Sequence, residues 1–250
     1  MKIWAHRGCS QMYPENTITA FSKAIEIEGL TGIELDIQMT KDGEIVVIHD
    51  ERVDRTTDGT GYVKDFTYLQ LRKLAIGTGT GRKETIPAIQ DVLDLIQSRM
   101  KEGLLLNIEL KNSEIPYDGM EEKIMELAAG RGLQGQVVYS SFYIKSLERL
   151  KELDPDASIG ILDQNASDCM YKKKNSFGEK DGRVALHPFW KNVDVSKEEL
   201  SGQTVRAWMS ERLYPEKAED KRLDLGKLEA AGITDVFLNR PEVYLRQREW

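Results

Sequence analysis

The stretch GIELDIQ, residues 32–38, alternates apolar and polar side chains, which predicts a short strand with one polar face. Glu34 and Asp36 are two residues apart, so their side chains project to the same side of that strand. Two carboxylates held together inside a fold repel each other unless a cation lies between them. The stretch therefore predicts both a strand and a candidate metal site.

The same strand-then-helix order recurs along the chain. Strands are predicted at 3–6, 32–38, 104–110, 137–139, 158–162, 184–186, 204–209 and 234–238. Helices are predicted at 17–28, 89–100, 117–131, 143–153, 164–174, 197–200 and 222–231. Eight such units in 250 residues predict the α/β class and a closed parallel (β/α)8 barrel, the TIM barrel. A further strand at 44–49 and an irregular stretch at 50–85 are expected to interrupt this order as an insertion.

Composition excludes some partners. The 35 basic and 42 acidic residues give a net charge of -7, and no basic block dominates, so we expect no nucleic-acid partner. The run Lys172–Lys174 is interpreted as a solvated helix end. No signal-like segment precedes the first motif and no apolar run approaches the roughly 18 residues of a membrane span, so we expect a cytoplasmic protein without stable membrane insertion.

The two cysteines, Cys9 and Cys169, are far apart and lack a CxxC spacing. This pattern indicates a reducing compartment and no zinc knuckle. A catalytic thiolate at Cys9, close to Arg7, is the alternative, but no surrounding motif favours it.

Polar residues lie at the ends of several predicted strands. The active site of a barrel of this type lies at the C-terminal strand ends, so these residues are expected to converge on one mouth. They are His6 and Arg7 at the end of the first strand, Glu34 and Asp36 in the second, Glu109 and Lys111 at the end of the third, and Ser140, Ser141, His187 and Trp208 at the ends of later ones.

The acids of this set suit a metal. Glu34, Asp36 and Glu109 would form an all-oxygen site, which favours one divalent cation, Mg²⁺ or Ca²⁺. The alternative is a buried ion network in which Arg7 and Lys111 neutralise the acids. We favour the metal because the acids outnumber the nearby bases.

His6 and His49 are two of only three histidines in the chain, and both flank the acids. This arrangement favours general acid and base catalysis near neutral pH, with metal ligation as the alternative. Arg7 offers a fork of donors that matches a phosphate, and Lys111 offers a point charge.

These residues belong to motifs that together resemble the glycerophosphodiester phosphodiesterases. The motifs are AHRG (5–8), PENT (14–17), ELDI (34–37), TKDG (40–43), VIHD (47–50), RTT (55–57), NIELK (107–111), SSF (140–142) and NRP (239–241). The resemblance covers essentially the whole chain and is densest up to Lys111. We interpret PENT mainly as shaping its loop and capping the next helix.

The resemblance implies a single barrel domain, 1–250, with an insertion at about 49–86 after the second barrel strand. It implies a divalent metal on Glu34, Asp36 and Glu109, and phosphate-side roles for Arg7 and Lys111. It also implies acid-base roles for His6 and His49, with His6 our choice of base. The reaction would split a glycerophosphodiester, a small molecule such as a deacylated phospholipid, into glycerol 3-phosphate and an alcohol.

The resemblance weakens toward the C-terminal end. Trp208 matches a family tryptophan that we expect beside the substrate, but Met209, Ser210 and Glu211 depart from the pattern that follows it, and Asn239 replaces a more common acid. His187 is interpreted as either substrate-lining or structural. A phospholipase-like barrel and a non-catalytic binding module are the alternative functions, and the sequence leaves open whether the chain forms a homo-oligomer.

Overall fold

The computed structural model describes residues 1–77, 84–209 and 222–245. Its strands are β1 (Lys2–His6), β2 (Gly32–Met39), β3 (Ile45–Val47), β4 (Leu105–Leu110), β5 (Val137–Ser141), β6 (Ser158–Asp163), β7 (Val184–Pro188), β8 (Arg206–Ala207) and β9 (Asp235–Leu238). Its helices are α1 (Ile18–Ile25), α2 (Tyr68–Leu71), α3 (Ile89–Lys101), α4 (Met120–Ala129), α5 (Ile144–Leu153), α6 (Ala166–Ser176) and α7 (Leu225–Ala230).

Eight parallel strands form a nearly closed barrel, which confirms the predicted fold. The strand order is β7-β6-β5-β4-β2-β1-β9-β8, and β3 lies outside it. Single bridges between Leu186 and Val205 and between Phe189 and Trp208 join the two ends of the sheet. All eight predicted barrel strands are present, with the seventh shortened to two residues.

Register places the candidate residues side by side. His6 in β1 is paired with Glu34 in β2, and Asp36 in β2 is paired with Glu109 in β4. Because the strands are parallel, these residues come to the same end of the barrel.

The loop after β1 folds tightly against α1. Thr17 caps the helix as predicted, since its side chain accepts from the Ala20 amide at 3.2 Å. Gly8 has φ +79°, and a Cβ there would lie 2.7 Å from the Ala20 carbonyl carbon. Only glycine suits this turn, which brings the PENT segment beside the barrel mouth.

The insertion is more ordered than its lack of periodicity predicted. β3 pairs antiparallel with β2, and the following residues form a 3₁₀ turn at Val63–Asp65 and the short helix α2. Its apolar side chains form a small cluster of their own: Val46, Ile48, Val53, Val63, Leu71, Ile76 and Ile86. These residues recur at irregular intervals because they pack between turns rather than along one helix or strand.

The predicted helix at 197–200 is wrong, because the structure forms turns there. The Leu200 amide donates to Ser196 and the Gln203 amide donates to Leu200, and Gly202 follows with φ +79°. Four residues before such a glycine are too few to propagate a helix. The other predicted helices are present with shorter or shifted ends.

Trp4, Val138 and Phe237 pack together as a small apolar cluster inside the barrel. The Trp4 indole donates to Asp235 at 2.8 Å, which satisfies its buried N–H group. Packed side chains therefore fill the barrel interior below the mouth. Within the described ranges, no helix has the length and apolar character that crossing a bilayer requires.

Candidate active site

A cavity of about 340 Å³ lies at the C-terminal ends of the barrel strands. Eight of the nine predicted site residues line it: His6, Arg7, Glu34, His49, Glu109, Lys111, His187 and Trp208. The ninth, Asp36, is fully buried beside Arg7. Residues outside the predicted site set complete the wall, and the first three of them belong to the NIELK and SSF motifs: Asn107, Ser140, Phe142, Leu162, Met209 and Phe237.

Three carboxylates converge at this mouth. Glu34, Asp36 and Glu109 each offer an oxygen within 4.8 Å of the others. Burial and the neighbouring Asp36 carboxylate raise the pKa of Glu34 well above its usual value. The cluster therefore carries a repulsion that a cation would relieve.

The environment of Asp36 fits such a cation. Asp36 Oδ2 accepts from the Asn16 side chain at 2.9 Å, whereas Oδ1 is buried and has no hydrogen-bond partner among the described residues. A buried, unpartnered carboxylate oxygen is costly unless a ligand satisfies it. Three carboxylates are the oxygen donors that Mg²⁺ and Ca²⁺ prefer.

The alternative ion network is present in part. Arg7 lies 3.1 Å from Asp36, and Lys111 donates to Glu109 at 2.8 Å. The described site nevertheless holds five carboxylates and three cations; the carboxylates are Glu15, Glu34, Asp36, Asp50 and Glu109, and the cations are Arg7, Arg55 and Lys111. With all five carboxylates ionised, the excess of two negative charges equals the charge of one divalent cation.

His6 is held as a neutral imidazole. Its Nδ1 lies 2.6 Å from Asn239 Oδ1, and because an amide oxygen only accepts, Nδ1 is the donor. Burial and the nearby Arg7 lower the pKa of His6 to about 3. Nε2, which lies 3.8 Å from Glu34, therefore keeps its lone pair at neutral pH.

His49 belongs to a second hydrogen-bonded pair. Its Nδ1 donates to Asp50 at 2.6 Å, and its Nε2 accepts from Lys111 at 3.2 Å. Although burial acts in the opposite direction, the hydrogen bonds from His49 and Arg55 hold the pKa of Asp50 below its usual range. Asp50 thus presents a carboxylate that fixes the ring.

The PENT segment contributes more than the predicted loop and cap. Glu15 accepts from Arg7 Nη1 at 2.8 Å, while Asn16 holds Asp36. Arg7 and Asn16 both have positive φ, 55° and 57°. Such backbone conformations are unfavourable for residues other than glycine and often occur at functional sites.

The aromatic rings of Phe142 and Trp208 form part of the cavity wall. Trp208 lies 5.9 Å from Phe142 and 4.9 Å from Phe189 between ring centroids. The Trp208 indole donates to the Asp163 carbonyl at 3.2 Å. This wall offers apolar contact area rather than charge.

His187 lies at the cavity floor and is fully buried. Its Nε2 lies 3.3 Å from Arg206 Nη1, which can only donate. Burial and that guanidinium lower the pKa of His187 well below its usual value. His187 is therefore a neutral residue whose ring is held by Arg206.

Replacing Gly160 by alanine is expected to destabilise the fold by about 1–3 kcal/mol. A Cβ at this position would lie 2.1 Å from Cε1 of His187, so the buried ring would have to move. Urea unfolding measures the change. Gly182→Ala is the control, because a Cβ there meets no atom of the described residues within 4 Å, and a comparable loss in both variants would contradict the prediction.

Cys9 is unsuited to thiolate chemistry. Both cysteines are unpaired and buried. Burial and the nearby Glu242 raise the pKa of the Cys9 thiol. Ser210 and Glu211, the other departures noted in the sequence, lie outside the described residues.

Sequence reasoning missed three contacts to the predicted residues. Asp50 follows His49 directly, and Asn16 lies within PENT, so their motifs offered a signal. Asn239 contacts His6 from 233 positions away, and nothing local indicates that pairing.

This chain is similar to known proteins along nearly its whole length. The sequence profile of the Glycerophosphoryl diester phosphodiesterase family matches residues 6–241. A glycerophosphodiester phosphodiesterase of Caldanaerobacter subterraneus subsp. tengcongensis is 37% identical over 246 residues, 97% of this chain and 96% of that protein. One of Bacillus altitudinis is 35% identical over 257 residues, 99% and 98% of the two chains.

A solved structure is similar as well. An Oleispira antarctica phosphodiesterase in complex with the product sn-glycerol-3-phosphate superposes with a TM-score of 0.74 at 25% identity. The superposition covers 97% of this chain and 94% of that one.

Proposed function

Because the chain belongs to the glycerophosphoryl diester phosphodiesterase family and is an enzyme of that class, we propose that it hydrolyses glycerophosphodiesters to glycerol 3-phosphate and an alcohol. Deacylated phospholipids are the substrates we propose, and we propose one divalent cation as cofactor. The observation that carries this proposal is that two histidines and two carboxylates line one cavity, with the Asp36 carboxylate within 4.8 Å of the other two acids.

Glu34, Asp36 and Glu109 would hold the cation, Mg²⁺ or Ca²⁺. When bound, it would supply Lewis-acid stabilisation of negative charge on the phosphoryl group. Asn16 donates to Oδ2 of Asp36, which leaves Oδ1 as the oxygen that would bind the cation. Arg7 approaches from the side of the PENT loop, where Glu15 holds its guanidinium.

His6 is proposed as the general base. Asn239 occupies Nδ1, so Nε2 is free to take the proton of the nucleophile. The nucleophile is water or the neighbouring glycerol hydroxyl, and both routes use this same proton transfer.

His49 is proposed as the general acid that protonates the leaving alcohol. Its Nδ1 donates to Asp50, so Nε2 is the atom that must carry and release the proton. Lys111 donates to the same nitrogen at 3.2 Å in this structure, so Nε2 must first take a proton from water before His49 can act as the acid.

Arg7 and Lys111 are proposed to bind phosphate oxygens. Lys111 keeps its charge because, although burial opposes it, Glu109 and Asp36 raise its pKa. Trp208 is proposed to line the substrate, and His187 to close the floor of its pocket.

We also propose one phosphodiesterase domain over residues 1–250, with the insertion at about 49–86. A small-molecule substrate agrees with the product named for the Oleispira antarctica structure. A cytoplasmic location and the absence of a nucleic-acid partner stay predictions from composition.

Release of glycerol 3-phosphate from glycerophosphocholine and glycerophosphoethanolamine tests this function. We expect release to stop when EDTA removes divalent cations, because the three clustered acids then repel one another and the phosphoryl charge is left unbalanced. Excess Mg²⁺ or Ca²⁺ should restore it, and separate additions identify the preferred ion.

An unchanged rate in EDTA would contradict the metal assignment. Intact phosphatidylcholine forms a second arm of the same assay. Hydrolysis of the intact lipid alone would favour the phospholipase-like alternative, and no reaction with any diester would favour a binding module.

A further inference from the structure

We propose that Arg55 is a positioning residue that holds two parts of the site together from outside the cavity. It lies in the insertion and is not among the described residues that line the cavity. Its side chain is 44% exposed. The proposal rests on the roles proposed above for Arg7 and His49.

The Arg55 guanidinium makes ion pairs on two sides. Nε donates to Asp50 Oδ2 at 2.6 Å, and Nη2 donates to Asp50 Oδ1 at 2.9 Å. Nη1 donates to Glu15 Oε2 at 2.7 Å, and Nη2 donates to Glu15 Oε1 at 2.8 Å. Paired hydrogen bonds of this kind fix orientation as well as distance.

Each of these carboxylates also holds a residue that lines the cavity. Glu15 Oε1 accepts from Arg7 at 2.8 Å, and Asp50 Oδ1 accepts from His49 at 2.6 Å. Arg7 follows β1, whereas His49 begins the insertion. Arg55 therefore joins the two segments that bring a phosphate-side cation and an acid-base histidine to the cavity.

Loss of Arg55 would disturb both of its partners, Glu15 and Asp50. The Glu15 side chain is only 4% exposed, so water replaces a lost partner poorly, and Arg7 would be left as its remaining ion-pair partner described here. Asp50 would keep His49 but lose both hydrogen bonds that fix its own orientation. The His49 ring would then follow a carboxylate that is free to rotate.

Arg52 provides a matched control within the same insertion. It pairs with Asp54 at 3.0 Å, and the two side chains are 43% and 39% exposed. Ion pairs between exposed side chains contribute little. Arg55 differs from Arg52 in two ways. One of its partners, Glu15, is buried, and both of its partners also contact residues that line the cavity.

The kinetic test compares Arg55→Ala, Arg55→Lys and Arg52→Ala with the metal-loaded wild type. We expect Arg55→Ala to lower kcat about 10–100-fold, as loss of a residue that orients a site group commonly does. Arg55→Lys should recover little, because an ammonium cannot make two planar paired contacts. Guanidinium added to Arg55→Ala should restore part of kcat, and Arg52→Ala should stay within twofold of wild type.

Double-mutant cycles separate positioning from a general structural role. We expect Arg55→Ala to raise KM as well as to lower kcat. Its loss of kcat should be non-additive with the loss caused by Asp50→Asn. Its increase in KM should be non-additive with the increase caused by Glu15→Gln. Additive losses in both cycles, or a kcat for Arg55→Ala within twofold of wild type, would overturn the proposal.

A spectroscopic readout is independent of turnover. The chain has only three histidines, so the ring resonances of His49 can be assigned by ¹H–¹⁵N NMR. We expect the hydrogen-bonded Nδ1 proton of His49 to shift or broaden in Arg55→Ala and Arg55→Lys but not in Arg52→Ala. Unchanged His49 signals in both Arg55 variants would overturn the proposal. A wild type that releases no glycerol 3-phosphate would overturn the proposed function, while the NMR comparison would still decide the role of Arg55.

Discussion

Replacement of His6 by alanine is expected to lower kcat about 10²–10⁴-fold, the usual contribution of a positioned general base. The physical reason is that Nε2 of a neutral His6 is the proposed proton acceptor, and Asn239 already occupies Nδ1. Burial and Arg7 keep the pKa of His6 near 3, so the basic form dominates throughout the neutral range. Steady-state release of glycerol 3-phosphate measures the loss, and circular dichroism confirms that the variant is folded.

Asn239→Ala is the companion variant. It removes the hydrogen bond that selects the His6 tautomer but leaves the base itself in place, so its loss should be smaller than that of His6→Ala. Added imidazole should restore part of the activity of His6→Ala. Near wild-type turnover in His6→Ala would refute the acid-base assignment.

Replacement of Glu34 by glutamine is expected to abolish metal-dependent turnover and the stabilisation that Mg²⁺ or Ca²⁺ gives the wild type. A cation at 100 times its Kd stabilises a folded protein by about 2.7 kcal/mol, which appears as a higher Tm. Losing one of three carboxylates removes a ligand and one negative charge from the cluster. Calorimetric titration and thermal unfolding with and without the ion measure both effects.

Without metal, the stabilities of wild type and Glu34→Gln should differ in the opposite direction. The pKa of Glu34 is raised by burial and by Asp36, so its ionised form destabilises the fold as pH rises through that pKa. Glutamine stays neutral, so in EDTA the variant should be as stable as wild type or more stable at neutral and alkaline pH. The difference should vanish below about pH 4, where unfolded glutamate is protonated as well.

Glu44→Gln serves as the control, because Glu44 is partly exposed and pairs with Lys123 away from the three acids. It should keep the ion-dependent increase in Tm. A Glu34→Gln variant that binds the ion as tightly as wild type would contradict the assignment of this residue as a ligand.

Much of the barrel was predictable because its strands are short, buried and regular. The two-residue alternation of Glu34 and Asp36 placed both carboxylates on one face, and parallel register then set Asp36 beside Glu109. The family resemblance rested on motifs such as ELDI and NIELK, which the sequence profile over residues 6–241 confirms.

What the sequence did not predict depends on contacts between distant segments. Asn239 meets His6 only because β9 lies next to β1 in the closed sheet. Arg55 joins Glu15 and Asp50 through an insertion whose apolar residues follow no helix or strand period. The turn at 197–200 differs because so short a segment depends on its neighbours and the following glycine, not on helix propensity.

The separate apolar cluster of the insertion has an evolutionary consequence. Val53, Val63 and Leu71 pack with their own neighbours rather than with the main barrel core. A lineage can therefore lengthen or exchange this segment without repacking the barrel. Because His49 and Asp50 lie where the segment begins, such exchanges can alter the proposed general acid while the carboxylates of β2 and β4 stay in place.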